Sequence, residues 1–531
     1  MGYIVRWWGL QGLARRDMMA GRGRGRYLGM AIRRVLLVVG MLGAGVGRAQ
    51  VLTGQYDNAR SGAQVHERVL TPSNVNGREF GRVGELVVDG DVFAQPLLRA
   101  GVVFVATEHD SVYAFEAGSG RQVWKTSFLD AGRGVGTVSE QDVGCPFIGP
   151  EVGITSTPVI DGASGTMYVV ARTKEAGGLV QRLHALDVRD GRERVGSPVE
   201  IRAEVAGTGE GSVGGKIGFD ARRENPRAGL LLVGGVVYLT WGSSCDSGPY
   251  HGWVMAYDGR TLRQRAVWNV TPDGGEGGIW QSDAGPAADE AGNVYVATGN
   301  GDFDGVRDFS DSLVKLRLVG DRLVVKDFFT PFDEKVMQAR DWDLGSQGPV
   351  LFGDEGKRRV VVTGKEGKMF VLDREKLGRF QAGSDSQIVQ TIKGKDAYGA
   401  AAYWAGHVYL TDRSDVTREY AVEGGQLVLK GQTAKMERPG AVPVVSADGV
   451  TGGVVWVLET KEWNESHADR AAVLHAYDAL DLSRELWTSE GNAGRDRAGM
   501  VVRFAVPTVA GGRVFVGVRG RVEVYGLLGV K

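Results

Sequence analysis

Four short stretches between residues 277 and 374 present, in order, an indole, an amide, a carboxylate and an ammonium. They are Gly277-Gly-Ile-Trp280, Thr298-Gly-Asn300, Asp341-Trp-Asp343 and Lys365-Glu-Gly-Lys-Met-Phe-Val-Leu-Asp-Arg374. Tryptophan offers the largest surface on which a planar ring can stack. Amide and carboxylate oxygens suit a hard cation. A carboxylate can take a proton from a substrate hydroxyl. An ammonium can steady an oxygen that gains negative charge. Each residue also has a plainer reading. Trp280 can pack between sheets, Asn300-Gly301 is a hairpin signal, Asp343 can cap a turn, and Lys365 can be a solvated turn lysine.

Other candidates lie outside this run. Gly149-Pro-Glu151-Val-Gly-Ile carries an isolated carboxylate. Ser243-Ser-Cys-Asp-Ser-Gly-Pro-Tyr-His251-Gly-Trp253 is a long polar insertion, in which Asp246 and His251 are candidates for binding a metal or substrate, or the loop is structural. Asp302, Asp304, Asp308 and Asp311 form an acidic loop without the fixed spacing of an EF-hand, so a solvated loop competes with a Ca²⁺ site. There is no Gly-x-Ser-x-Gly, P-loop, His-Glu-x-x-His or Cys-x-x-Cys-His motif, so hydrolase, nucleotide and haem readings lack support.

These side chains sit on a repeat. A small residue, a Pro or Gly-Pro and two aliphatics open each unit. A glycine turn, an alternating Val/Tyr/Phe strand, a strand ending in Ala-aromatic-Asp, a polar turn and often Trp follow. The first copy runs Ala94-Gln-Pro-Leu-Leu98, Val102-Val-Phe-Val105, Val112-Tyr-Ala-Phe-Glu116 and Gly120-Arg-Gln-Val-Trp124. Eight copies are counted. The sixth is degenerate, reduced to Val408-Tyr-Leu410 and Glu419-Tyr-Ala421. Each reads as four short antiparallel strands, which cannot bury both faces alone. The expected fold is therefore all-β, an eight-bladed β-propeller. The last copy lacks an outer strand, and Phe80-Gly-Arg-Val-Gly-Glu-Leu-Val-Val88 lacks a partner. That stretch is expected to complete the last blade and close the ring. The expected domains are 1–49, 50–78 as a lead-in segment and 79–528 as the propeller.

The totals agree. The chain has 531 residues, 82 of them glycine, spread singly between apolar runs as many short strands require. A formal net charge of −1 gives no support to a nucleic-acid partner. Arg33-Arg34, the apolar run Val35-Leu-Leu-Val-Val-Gly-Met-Leu42 and Gly47-Arg48-Ala49 read as a cleavable signal peptide cut near Ala49. Met30 stands where such a peptide would start; residues 1–29 are an over-long start or a long basic region. The apolar run is too short for a permanent membrane span. Periplasmic or secreted localisation is expected. In an exported protein, Cys145 and Cys245 are expected to be bonded rather than free.

The blade ending Ala-x-Asp-x-x-x-Gly-x-x-x-Trp resembles the tryptophan-docking repeat of quinoproteins, the pyrroloquinoline quinone (PQQ)-dependent dehydrogenases, and of their non-catalytic relatives. Gln55-Tyr-Asp-Asn-Ala-Arg-Ser-Gly62 through Asn76 resembles that family's opening segment. The likeness spans about residues 53–528 and is specific for the fold. It implies roles for the four stretches. Trp280 would be the floor under the quinone, Asn300 a Ca²⁺ ligand, Asp343 the catalytic base and Lys365 a contact to the quinone oxygens. Glu151 would be a second Ca²⁺ ligand. The chain also departs from the family pattern. The adjacent Cys-Cys pair is absent. The Glu151 stretch runs straight into Thr155-Ser-Thr-Pro-Val. Gly345 stands where lanthanide-using relatives carry an extra acid.

The resemblance implies PQQ- and Ca²⁺-dependent oxidation of an alcohol or sugar, with electrons passed to a separate carrier. The alternative is a non-catalytic propeller that binds a protein or glycan.

Overall fold

The computed structural model describes residues 49–281, 284–354, 356–394, 399–412, 416–436, 442–460 and 470–529. The leader reading, with Met30, lies outside them. No helix among the described residues is long and apolar enough to cross a membrane.

Eight four-stranded antiparallel blades form a β-propeller. Their inner and outer strands are Leu97–Arg99 and Gln122–Ser127 in blade 1, Val159–Asp161 and Val199–Glu200 in blade 2, and Leu231–Val233 and Gln264–Asn269 in blade 3. Blade 4 runs from Ala287–Ala288 to Arg322–Thr330, blade 5 from Val350–Asp354 to Gln390–Lys393, and blade 6 from Ala402–Trp404 to Gln426–Gln432. Blade 7 runs from Val444–Asp448 to Asp481–Thr488. The sixth unit is thus a complete blade. Its inner strand lacks the proline that marks most others, which hid it in the sequence. In blades 1, 3, 6, 7 and 8 the inner hairpin turns within two residues; in blade 1, Ala100 and Gly101 have φ of 54° and 83°, as the tightest hairpins need.

Blade 8 is built from both ends of the propeller. Thr508–Ala510, Arg513–Val518 and Arg521–Leu527 are completed by Phe80–Val87, which pairs antiparallel from Phe80 opposite Leu527 to Val87 opposite Arg521. This is the predicted closure, and it leaves no open sheet edge at the seam.

The repeat's tryptophan explains how neighbours dock. Trp124 closes blade 1 and donates from Nε1 to the Val188 carbonyl of blade 2 at 3.1 Å. Trp268 packs on Phe309 of blade 4, and Trp487 meets Phe80 and Tyr525 of blade 8 edge-on. Each ring buries apolar area between two sheets that could not bury it separately.

The lead-in segment plugs the axis. The same position of the inner strand in seven blades, the N–H of Leu98, Ile160, Ala288, Leu351, Tyr403, Val445 and Val509, donates to an oxygen of residues 51–62. In blade 3 the carbonyl of Leu232 instead accepts from Asn58 Nδ2 at 2.9 Å. Fully buried Arg60 donates to the carbonyls of Gly54, Leu230 and Pro286. Burial lowers its pKa to about 10.

Candidate functional site

Trp280 lies on the segment that leads from blade 3 into blade 4. Its ring rests on backbone. A Cβ on Gly242 would stand 2.5 Å from it, and one on Gly299 would stand 2.7 Å from Nε1, so only glycine allows the approach. The indole N–H donates to Asp343 Oδ1 at 3.2 Å. Asp343, on the segment leading into blade 5, also accepts the backbone N–H of Asn300 on Oδ1 at 2.8 Å.

Lys365 follows the second strand of blade 5. Its Nζ is 2.8 Å from Asp343 Oδ2 and 2.8 Å from Asp341 Oδ1. Burial opposes its charge, but Asp343 and Asp341 outweigh burial and hold its pKa above the ordinary lysine value. Asn300 Nδ2 donates to Asp341 Oδ1 at 2.9 Å, while its Oδ1 is buried with no partner. Blades 4 and 5 therefore bring Trp280, Asn300, Asp343 and Lys365 into one cluster.

Glu151 has other partners: its Oε2 is 2.8 Å from His109 Nδ1, and its backbone bridges Ser139. The acidic loop also has structural tasks. Asp302, Asp304, Asp308 and Asp311 accept backbone N–H groups of Gly275, Val306, Asp273 and Leu344, respectively. Among the described residues, no three His, Cys, Asp or Glu side chains are arranged to hold a metal.

Blade 3 adds groups that its sequence only hinted at. Cys145 and Cys245 are disulfide-bonded, tying the polar insertion to the connection between blades 1 and 2. Asp246, next to Cys245, accepts from Tyr250 Oη at 2.9 Å. The Tyr250 ring lies 6.0 Å from that of Trp280. Burial, then the charge of Asp343, raises the pKa of Asp246; Glu276 is raised by burial, then by Asp246 and Asp343. His251 is closed to a metal, because Thr271 Oγ1 and the Glu210 carbonyl each lie 2.9 Å from a ring nitrogen. Arg227, which no sequence signal marked, holds its guanidinium 5.0 Å from the Trp280 ring and 4.9 Å from that of Phe504.

The backbone is strained around this cluster. Cys245, Asp246, Glu276, Gln281, Asp311 and Asp341 all have φ between 34° and 65°. Non-glycine residues rarely adopt that region, and such outliers gather where function holds them.

No protein-family profile and no curated protein matches the sequence. Solved structures do match. A quinohemoprotein alcohol dehydrogenase from Pseudomonas putida is 16% identical with a TM-score of 0.63, covering 91% of this chain and 81% of that one. A europium-containing methanol dehydrogenase is 14% identical with a TM-score of 0.60, covering 90% and 98%. BamB from Moraxella catarrhalis is 14% identical with a TM-score of 0.51, covering 84% and 99%. The chain has the eight-bladed propeller fold shared by the quinoprotein alcohol dehydrogenases and BamB.

Proposed function

We propose that the protein oxidises an alcohol or sugar with PQQ and Ca²⁺ and passes the electrons to a separate carrier. The observation that carries this reading is the meeting of Trp280, Asn300, Asp343 and Lys365, drawn from two blades, at one place.

The chain's residues fit these groups in three respects. The buried, unpartnered Oδ1 of Asn300 is an oxygen donor suited to a hard cation. Trp280 offers an aromatic ring held by backbone on one side. Lys365 would sit beside the oxygens of the reduced ring. When bound, the quinone supplies the two-electron acceptor and the cation polarises it. Asp343 would take the substrate's hydroxyl proton on a carboxylate oriented by Trp280 Nε1 and Asn300 N–H.

The test is reconstitution. Purified protein with PQQ and Ca²⁺ is expected to show quinone absorbance and dye-coupled alcohol oxidation. Asp343→Asn should keep the absorbance and lose about 10²–10⁴-fold in rate. No quinone bound at micromolar concentration would end this reading.

One observation favours a second reading. Arg227 stands over the ring of Trp280 and would have to swing aside for a quinone to stack there. If it does not, the propeller is a non-catalytic scaffold for a protein or glycan.

A further inference from the structure

We propose that Trp280 and Phe504 are the two walls of one slot for a planar aromatic ring, and that the guanidinium of Arg227 is a plug which such a ring displaces. The inference rests on the oxidoreductase reading for the identity of the ring. It adds a wall from blade 8 and a plug that no sequence motif marks.

Trp280 lies on the connection into blade 4, and Phe504 on the connection into blade 8, across the ring of eight. One side chain meets both. The guanidinium carbon of Arg227 is 5.0 Å from the centroid of the Trp280 ring and 4.9 Å from that of Phe504. A guanidinium is flat and stacks on aromatic faces, so it occupies the same kind of space as a planar ligand. A fused ring centred in its place would stand about 5 Å from both centroids, inside the range of roughly 4.5–7 Å that favours aromatic pairs.

Both walls are fixed. Trp280 is 5% exposed and Phe504 8%. Cβ atoms on Gly242 and Gly278 would stand 2.5 and 2.9 Å from the Trp280 ring, and Asp343 accepts its N–H. Phe504 has φ of 60°, and Gln281, next to Trp280, has φ of 34°. Such strain persists only where the surroundings hold it. On the blade 8 side, the guanidinium of Arg503 lies 4.8 Å from the Phe147 ring, and Phe147 is two residues beyond Cys145, which the disulfide ties to blade 3.

Arg227 differs from a sealed structural arginine. Arg60 is fully buried and donates to three carbonyls. Arg227 is half-buried, so its head can leave the rings for water while its stem stays in place. A ligand that needs the open arrangement binds more weakly by the fraction of molecules in which the plug is out.

The experiment uses purified full-length protein and two probes. Acridine, kept uncharged at mildly alkaline pH, is planar and takes no part in the proposed oxidation; PQQ is the second. Binding is read by fluorescence quenching and calorimetry. Arg227→Ala is expected to bind acridine at least about tenfold more tightly than wild type, because two cation–π contacts no longer compete. Adding Phe504→Leu should weaken acridine about three- to tenfold, and adding Phe504→Tyr instead should leave it unchanged. Circular dichroism and Tm check folding, and Arg227→Gln replaces Arg227→Ala if that variant does not fold. The proposal is overturned if the Arg227 variant binds acridine no better than wild type, or if Phe504→Leu changes nothing. Acridine binding as expected with no PQQ bound at micromolar concentration would keep the slot and sink the oxidoreductase reading alone. PQQ-dependent alcohol oxidation in a protein whose Arg227 and Phe504 variants bind both probes like wild type would do the reverse.

Discussion

Lys365 Nζ lies at the same distance, 2.8 Å, from Asp343 Oδ2 and from Asp341 Oδ1. One ammonium thus serves a buried carboxylate on one side and an exposed one on the other, and only the buried partner depends on it. Lys365→Met is expected to leave Asp343 in the interior without a counter-charge and to destabilise the protein by about 3–5 kcal/mol. Lys365→Arg should recover most of that. Urea denaturation of the ion-free protein measures both; a Met variant as stable as wild type would show that the pair carries no weight.

Glu108 is fully buried on the loop of blade 1, where it accepts the Gly153 N–H at 2.7 Å and the Thr155 hydroxyl at 3.1 Å. Burial pushes its pKa up from 4.5 to about 8. A carboxyl with a raised folded pKa stabilises fully below its unfolded pKa and loses that contribution as pH climbs through the folded value. Between about pH 4.5 and 8 the wild type is therefore expected to lose stability, by an amount on the order of a few kcal/mol. Glu108→Gln keeps a carbonyl acceptor for both donors and should flatten that slope. Thermal melts across this pH range decide it, and parallel slopes would refute it.

Arg60 binds three carbonyls from three places, Gly54 of its own segment, Leu230 at blade 3 and Pro286 at blade 4. Arg60→Met should leave the Gly54 and Pro286 carbonyls without that donor and cost about 3 kcal/mol. It should also raise the rate of proteolytic cutting within residues 50–66 under native conditions. Unchanged protection of that segment would mean that the backbone bonds alone retain it.

The Cys145–Cys245 bond encloses a long stretch of chain, with a sequence separation of 100. Replacing both cysteines by serine is expected to cost about 2–5 kcal/mol in chemical denaturation. A double-serine variant as stable as wild type would show that the bond carries no weight.

The repeat could be read in the sequence because each blade solves one local problem, burying two faces of a small sheet with alternation, glycine turns and a docking indole. The closing strand followed from simple counting, since Phe80–Val87 lacked a partner and the last unit lacked a strand. Blade 6 was harder, because Ala400-Ala-Ala402 replaces the proline-bearing opening. Trp280, Asn300, Asp343 and Lys365 lie in recognisable stretches, and their convergence follows from blade spacing. Asp246, Tyr250 and Arg227 lie in loops whose path is set by tertiary contacts rather than by pattern. Tyr56 is the extreme case. Its hydroxyl bonds the Pro507 carbonyl at a separation of 451 residues, which no local signal encodes.

The strand that finishes blade 8 and the segment that fills the axis both precede blade 1 in the chain, yet both bind residues near the far end. During synthesis residues 51–62 can bind each inner strand as it appears, whereas Phe80–Val87 waits without a partner until the last blade is made. The same wiring makes the ring a single cooperative unit. Release of the seam frees strand and plug together, so unfolding is expected as one sharp transition rather than blade by blade.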